Sequence, residues 1–259
     1  PKEGWEFFEN NEDLFGVTHK TDKPTAIRIL MGHACNYDCG YCMQKDIGNP
    51  NERPQNMWLN SFLRKMDNLD LSQLERIELW GGEPFLYWKD MVGIMQYFDH
   101  PDRHFYISTN GSPLRHKHAE FFAGLKSTVA MGISHDGPGQ ESLRGEDIFK
   151  KIQVCEAIKH LARLPNFQFS FNPVVSATNM DLFEINDYFK DVADKLDIPD
   201  ARISFVPARV YDDTDSINSA EHVIKGDGLV EFHAIVNNYH KEVIHQKKHG
   251  GDRFLKSNI

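Results

Sequence analysis

The chain is poor in cysteine, in basic residues and in long apolar runs. It has 4 Cys among 259 residues, and three of them, Cys35, Cys39 and Cys42, are crowded into one short segment. Disulfides of a secreted scaffold join distant points, so this usage predicts metal or redox chemistry in a reducing, cytoplasmic setting. No run of 18 apolar residues is present, which predicts the absence of a membrane-spanning helix. The first residues, from Pro1 to Trp5, also lack the basic and apolar regions of a signal peptide.

The charge balance argues against one large class of partners. The chain has 29 Lys and Arg against 38 Asp and Glu, a formal net charge of −9. Non-specific binding to a phosphate backbone needs a surplus of basic residues, so general nucleic-acid binding is not expected. The apolar content of 40% and the charged content of 26% are those of an ordinary globular protein.

Short apolar runs alternate with amphipathic segments along the chain. The predicted strands are 26–31, 76–80, 104–108, 129–134, 167–175 and 202–206. The predicted helices are 59–68, 88–99, 117–125, 147–163 and 180–197, followed by a last helix that ends before Gly250 and Gly251. This alternation predicts an α/β fold with a parallel sheet and right-handed crossovers, either doubly wound or curved into a partial barrel. We expect the strands to be apolar on both faces and the functional groups to lie at their carboxyl ends.

The three clustered cysteines follow the first predicted strand with C-x3-C-x2-C spacing. Three thiolates on one loop can hold three irons of a [4Fe–4S] cluster and leave the fourth iron open to a small molecule. A zinc site is the alternative, with His33 or a distant residue as fourth ligand. The remaining cysteine, Cys155, lies on the apolar face of a predicted helix and is interpreted as a small buried hydrophobe.

This loop resembles the signature of the radical S-adenosylmethionine (SAM) superfamily. Three further motifs follow in the same order: Gly81-Gly82-Glu83-Pro84, Ser108-Thr109-Asn110-Gly111, and Ser134-His135-Asp136-Gly137-Pro138 with Arg144 beyond it. The last stretch is similar to the sulfatase-maturase and peptide-modifying (SPASM/twitch) branch. The resemblance covers roughly residues 24–210 and implies a partial (β/α)6 TIM-like barrel of parallel strands with outer helices. It divides the chain into an arm (1–23), the core barrel (24–210) and a C-terminal loop and helix (211–259).

The resemblance implies the cofactors and the residues that hold them. Cys35, Cys39 and Cys42 would ligate a [4Fe–4S] cluster, and SAM would bind its open iron and be cleaved to a hydrogen-abstracting 5′-deoxyadenosyl radical. The expected SAM-binding residues are Tyr41, Gly81, Gly82, Glu83, Pro84, Ser108, Asn110, Ser134, Asp136 and Arg144. Each has a plainer alternative: a turn, a helix cap, hydrophobic shielding of the cluster or, for Arg144, a solvated surface charge.

The resemblance indicates the partners and the substrate only in part. A reductant such as flavodoxin or ferredoxin is expected, and the branch indicates a peptide or protein substrate. That branch carries C-terminal cysteines for auxiliary clusters, whereas this chain has none after Cys155. A nucleotide or other small-molecule substrate therefore stays open, as does a non-catalytic zinc or electron-transfer module. His135 is either a structural partner or a group facing substrate, and Arg209, Tyr211 or Asp212 at the barrel mouth could contact substrate.

Overall fold

The computed structural model describes residues 23–42, 44, 59–198, 201–207, 224 and 226–257. Residues 1–22 of the predicted arm lie outside the described residues. So do Arg209, Tyr211 and Asp212.

A parallel sheet forms the centre of the molecule. Its strands are β1 (Ala26–Leu30), β2 (Arg76–Trp80), β3 (His104–Thr109), β4 (Thr128–Ile133), β5 (Phe167–Phe171), β7 (Arg202–Ile203) and β9 (Lys256–Ser257). They lie side by side in that order, and every pairing between neighbours is parallel. The sheet is unclosed, and the predicted partial TIM-like α/β barrel is confirmed. Strand β9 is an addition that the sequence did not predict.

Helices connect the strands and cover one face of the sheet. They are α1 (Leu59–Met66), α2 (Trp88–Phe98), α3 (His116–Ala123), α4 (Gln140–Arg144), α5 (Ile152–Ala162), α6 (Leu182–Leu196) and α7 (Asp227–His249). Helix α7 ends at Gly250, whose φ of +74° is readily adopted by glycine, so the predicted glycine stop is confirmed. None of the described helices is long and apolar enough to span a bilayer.

The two faces of the sheet differ, which corrects the expectation of strands apolar on both faces. Buried apolar side chains point from the strands to the helices and form the core with them. They are residues 105, 107, 129, 131, 167, 169 and 171. Their neighbours along each strand point to the concave face and are more exposed and mostly polar, as in β3 and β5. Strict alternation of this kind is the pattern of a half-covered sheet. The concave face is therefore open to a ligand.

Two predicted strands are broken. The run predicted over 167–175 ends at Phe171, and β6 (Val174–Val175) pairs with β8 (Val206–Pro207) in a second, two-stranded sheet. Pro173 lies at the break, where a residue without a backbone N–H cannot continue the ladder. The run predicted over 202–206 is divided in the same way between β7 and β8.

The helix predicted over 147–163 begins later. Asp147 accepts a hydrogen bond from the Phe149 backbone N–H and starts a single 3₁₀ turn, Ile148–Lys150. Lys151 is extended, so α5 begins at Ile152.

The C-terminal segment is tied to the core by Asn186 of α6. This fully buried side chain donates to the Arg253 carbonyl (3.1 Å) and accepts from the Leu255 backbone N–H (3.2 Å) and the Tyr239 hydroxyl (3.2 Å). These bonds hold α7 and β9 against the barrel.

Candidate active site

The cysteine loop continues the sheet beyond β1. The Gly82 backbone N–H donates to the Gly32 carbonyl and the Glu83 N–H to the Ala34 carbonyl, each at 2.8 Å. A Cβ at residue 82 would lie 2.3 Å from the Ala34 carbonyl oxygen and 2.5 Å from that of His33. The glycine pair therefore allows the cysteine loop to approach the end of β2 closely. Gly81 and Gly82 were predicted to bind SAM, and in the structure they lie against the backbone of the cysteine loop.

Tyr87 forms a second clamp on the loop. Its hydroxyl accepts a hydrogen bond from the Ala34 backbone N–H at 2.9 Å. Its ring packs so closely on Gly32, where φ is +150°, that a Cβ there would lie 2.2 Å from the hydroxyl oxygen. Pro84 begins the 3₁₀ turn Pro84–Tyr87, which positions this ring. Tyr87 was not among the predicted site residues.

The three thiols lie at the rim of the barrel and are not in disulfides. Burial raises the pKa of Cys39 to about 11 and also raises that of Cys35, and the neighbouring thiols contribute to both shifts. The Cys42 backbone N–H donates to the Cys39 carbonyl at 3.1 Å, so one tight turn carries both of these thiols. Within the described ranges, no three His, Cys, Asp or Glu side chains surround one point as a single metal ion requires.

The donor set nevertheless fits an iron–sulfur cluster. A cubane takes one thiolate at each iron, so its ligands are spread over separate corners rather than gathered around one ion. Three thiols on one clamped loop at the carboxyl end of a strand meet that requirement. Coordination by a cation would also offset the cost of forming thiolates in this buried setting, since a coordinated thiol is deprotonated.

Glu83 joins the ends of β2 and β3 from a fully buried position. Its two carboxylate oxygens accept from the Phe85 N–H (3.0 Å), the Thr109 hydroxyl (2.8 Å) and the Asn110 N–H (2.7 Å). Burial raises the pKa of Glu83 to about 7 in spite of these donors. The carboxylate predicted to bind SAM thus already holds two neighbouring motifs together.

We expect Glu83→Gln to lower the free energy of unfolding by about 1–3 kcal/mol, because its amide nitrogen must face a backbone N–H. The folded-state pKa lies above the ordinary value of 4.5, so the parent loses stability as the pH rises from about 4.5 through 7. The difference in the free energy of unfolding between parent and variant should therefore narrow as the pH rises from about 4.5 to 7, as measured by urea titrations. Glu120→Gln, at an exposed site, is the control and should change little. A pH-independent gap would contradict this assignment.

Asn110 connects the end of β3 to the cysteine loop. Its amide nitrogen donates to the Asn36 side-chain oxygen at 2.9 Å and lies 3.9 Å from the Cys35 sulfur. Its side-chain oxygen accepts from the Ser112 backbone N–H at 2.9 Å. Asn110 thus lies in the predicted turn, and its side chain also lies next to the Cys35 thiol.

Asp136, Arg144 and Tyr41 form one buried network. The Arg144 guanidinium donates through Nε and Nη2 to the two Asp136 oxygens, each at 2.9 Å. The Tyr41 hydroxyl also donates to Asp136, and the guanidinium lies 5.3 Å from the centre of the Tyr41 ring. The Arg144 side chain is only 8% exposed, which excludes the interpretation as a solvated surface charge.

Glu146 fastens the loop on its other side. One of its oxygens accepts from the Tyr37 hydroxyl (2.9 Å) and the Ser112 hydroxyl (2.7 Å), and the other pairs with Lys151. A cleft of about 580 Å³ lies between the cysteine loop and the 142–146 segment. Glu146 was not among the predicted site residues, because the Tyr37 and Ser112 hydroxyls that it binds are 109 and 34 residues away in the chain.

His135 is a structural residue. It is fully buried, packs on Phe149 and Tyr188, and its Nε2 lies 3.0 Å from an Asp147 oxygen. Its Nδ1 accepts from the Gly137 backbone N–H at 3.0 Å, so Nε2 carries the proton. Burial lowers the pKa of His135, which favours the neutral ring.

Ser108, Ser134 and Asn172 face the concave side near the carboxyl ends of β3, β4 and β5. Ser108 and Ser134 are half-buried. Asn172 was missed by the sequence analysis, although it directly follows β5 in phase with the concave residues. Its amide nitrogen donates to the Tyr106 hydroxyl at 2.9 Å, above Gly132, where a Cβ would collide with both groups.

The described residues thus form an unclosed parallel barrel with three thiols at its rim and an open concave face. The chain belongs to the Radical SAM superfamily, whose family model matches residues 29–196. Enzymes of this superfamily use a [4Fe–4S] cluster and SAM.

Relatives with different activities match the same core. The chain is 24% identical over 176 residues to the radical SAM cyclopropyl synthase TigE of Paramaledivibacter caminithermalis, covering 61% of this chain and 37% of TigE. It is 24% identical over 172 residues to the GTP 3′,8-cyclase of Synechococcus elongatus, covering 65% of this chain and 51% of the cyclase. The chain thus spans about a third to a half of the length of these relatives.

A solved structure shares the fold. Native anSMEcpe with bound AdoMet and Cp18Cys peptide superimposes with a TM-score of 0.65 at 17% identity, covering 90% of this chain and 63% of that one. This likeness supports the barrel assignment.

Proposed function

We propose that this protein reductively cleaves SAM at a [4Fe–4S] cluster held by Cys35, Cys39 and Cys42, and modifies a peptide or protein. The observation that carries the proposal is the loop of three thiols, clamped by Gly82, Glu83 and Tyr87 at the rim of a barrel. Bound SAM, once reduced by one electron, supplies a radical that abstracts hydrogen from a substrate. The electron would come from a flavodoxin- or ferredoxin-class donor.

The residues of the chain position and shield the reacting groups. Asn110 and Tyr41 lie beside the thiols and would fix the cluster and SAM, while Ser108 and Ser134 offer hydroxyl donors at the concave face. The glycine pair at 81–82, Glu83, Pro84, Asp136 and Arg144 hold these elements in register. The buried core behind the rim excludes water from that side.

A peptide or protein substrate is favoured by the similarity to anSMEcpe, which was solved with a peptide bound. The concave face supports it as well, because its hydroxyl and amide groups suit the donors and acceptors of a peptide backbone. A nucleotide is the second candidate, favoured by the similarity to a GTP 3′,8-cyclase.

Deuterium transfer can test both the activity and the substrate class. The cluster-loaded protein is incubated anaerobically with dithionite and SAM, together with either a perdeuterated proteome digest or deuterated GTP. We expect 5′-deoxyadenosine to form and to gain deuterium from the peptide pool. Deuterium gained only from GTP would replace the peptide proposal by the nucleotide one. Reduced, cluster-loaded protein that leaves SAM intact would refute the proposed activity itself.

A further inference from the structure

An arginine and an aspartate next to the cysteine loop are held in fixed geometry. Arg144 Nε and Nη2 each lie 2.9 Å from an Asp136 oxygen, and Asp136 is fully buried. Asp136 accepts two further bonds, from the Tyr41 hydroxyl and the Val174 backbone N–H (2.9 Å). These four hydrogen bonds satisfy the carboxylate and hold both charged groups in place beside the loop.

Both charges contact Tyr41, which lies between Cys39 and Cys42 in the chain. The Tyr41 hydroxyl donates to Asp136, and the Arg144 guanidinium lies 5.3 Å from the centre of the Tyr41 ring. A cation and an anion have opposite effects on a nearby negative charge. The pair therefore lies against the loop whose sulfurs we assign to the cluster. Gly40, next to Cys39, lines the same cleft as Arg144.

We propose that Arg144 and Asp136 together set the reduction potential of the cluster: the guanidinium stabilises the added electron and the carboxylate attenuates that effect. This inference rests on the proposed function, because it requires the cluster. One electron passes from an external one-electron donor to the cluster, and no bond is made or broken. A cluster held by three thiolates is already anionic, so a fixed cation beside one ligand favours its reduction.

The proposal predicts shifts of opposite sign from two neighbouring residues. Arg144→Met should make the reduction potential of the cluster more negative by about 59 mV. At a fixed solution potential, a shift of that size lowers the ratio of reduced to oxidised cluster about tenfold. Asp136→Asn should make the potential more positive. Arg144→Lys retains the charge and should stay close to the parent. Tyr41→Phe removes a hydrogen bond without changing any charge, and it is the matched neutral control.

The test is an anaerobic redox titration of each cluster-loaded protein, followed by electron paramagnetic resonance and carried out without SAM. Opposite shifts for Arg144→Met and Asp136→Asn, with little change in Tyr41→Phe, support the proposal. Equal potentials, or shifts of the same sign in all variants, overturn it and leave a merely structural ion pair. If Arg144→Met does not fold, the sign of the Asp136→Asn shift decides alone.

The outcome is separable from that of the proposed function. Protein that binds no iron and sulfide contradicts the proposed function. Protein that binds the cluster and cleaves SAM, but whose potential ignores these charges, contradicts only the present inference.

Discussion

Replacing any one of Cys35, Cys39 and Cys42 by Ser should abolish both cluster assembly and SAM cleavage. Serine keeps the size of the side chain but removes the soft thiolate that iron–sulfur clusters require. We expect 5′-deoxyadenosine formation to fall by more than about 100-fold, since even replacing a residue that only hydrogen-bonds to a metal ligand typically costs about 10–100-fold. Iron and sulfide per chain and chromatographic detection of 5′-deoxyadenosine measure the effect.

Cys155 provides the matched control. Its thiol lies in α5, away from the loop, and donates to the Phe149 carbonyl at 3.2 Å, a bond that a serine hydroxyl can also make. Cys155→Ser should keep parental iron content and SAM cleavage. Loss of the cluster in this variant, or its retention in one of the three loop variants, would show that the ligand set is misassigned.

Gly82→Ala should displace the cysteine loop and prevent cluster assembly, although it adds only one methyl group. The new Cβ would lie 2.3 Å from the Ala34 carbonyl oxygen, and backbone atoms cannot move aside as a flexible side chain can. Overpacking of this kind costs about 1–3 kcal/mol. We expect a lower melting temperature together with at least about a tenfold loss of iron incorporation, because about 1.4 kcal/mol already corresponds to tenfold in an equilibrium.

Gly124→Ala is the control for this substitution. Gly124 has an ordinary φ of −84°, and its nearest neighbour to an added Cβ is the Phe121 carbonyl oxygen at 3.5 Å. This variant should keep its stability within about 0.5 kcal/mol and its full iron content. Normal iron incorporation by Gly82→Ala would mean that the close contact between β2 and the loop does not hold the thiols in place.

The placement of the motifs at one end of the sheet could be predicted from the sequence, because each motif directly follows a predicted strand. C-x3-C-x2-C, the glycine pair before Glu83 and the turn at Asn110 all lie where parallel strands end. What these residues contact could not be predicted, since their partners are distant in the chain. Tyr41 and Asp136 are 95 residues apart, and Tyr37 and Glu146 are 109 apart.

Part of the fold was predictable but misinterpreted. Gln168 and Ser170 alternate with phenylalanines in β5, which already indicates one polar face. Pro173 marks the end of that strand on the same grounds. Strand β9 was beyond prediction, because two residues, Lys256 and Ser257, give no periodicity and join the sheet only through β7.

The most direct test of the central claim is the electron paramagnetic resonance spectrum of the reduced, anaerobically reconstituted protein before and after SAM is added. We expect about four irons and four sulfides per chain, with a spectrum that changes on SAM addition because three thiolates leave one iron open. A bound zinc ion, or a cluster whose spectrum SAM leaves unaltered, would contradict the claim that Cys35, Cys39 and Cys42 hold an open [4Fe–4S] cluster.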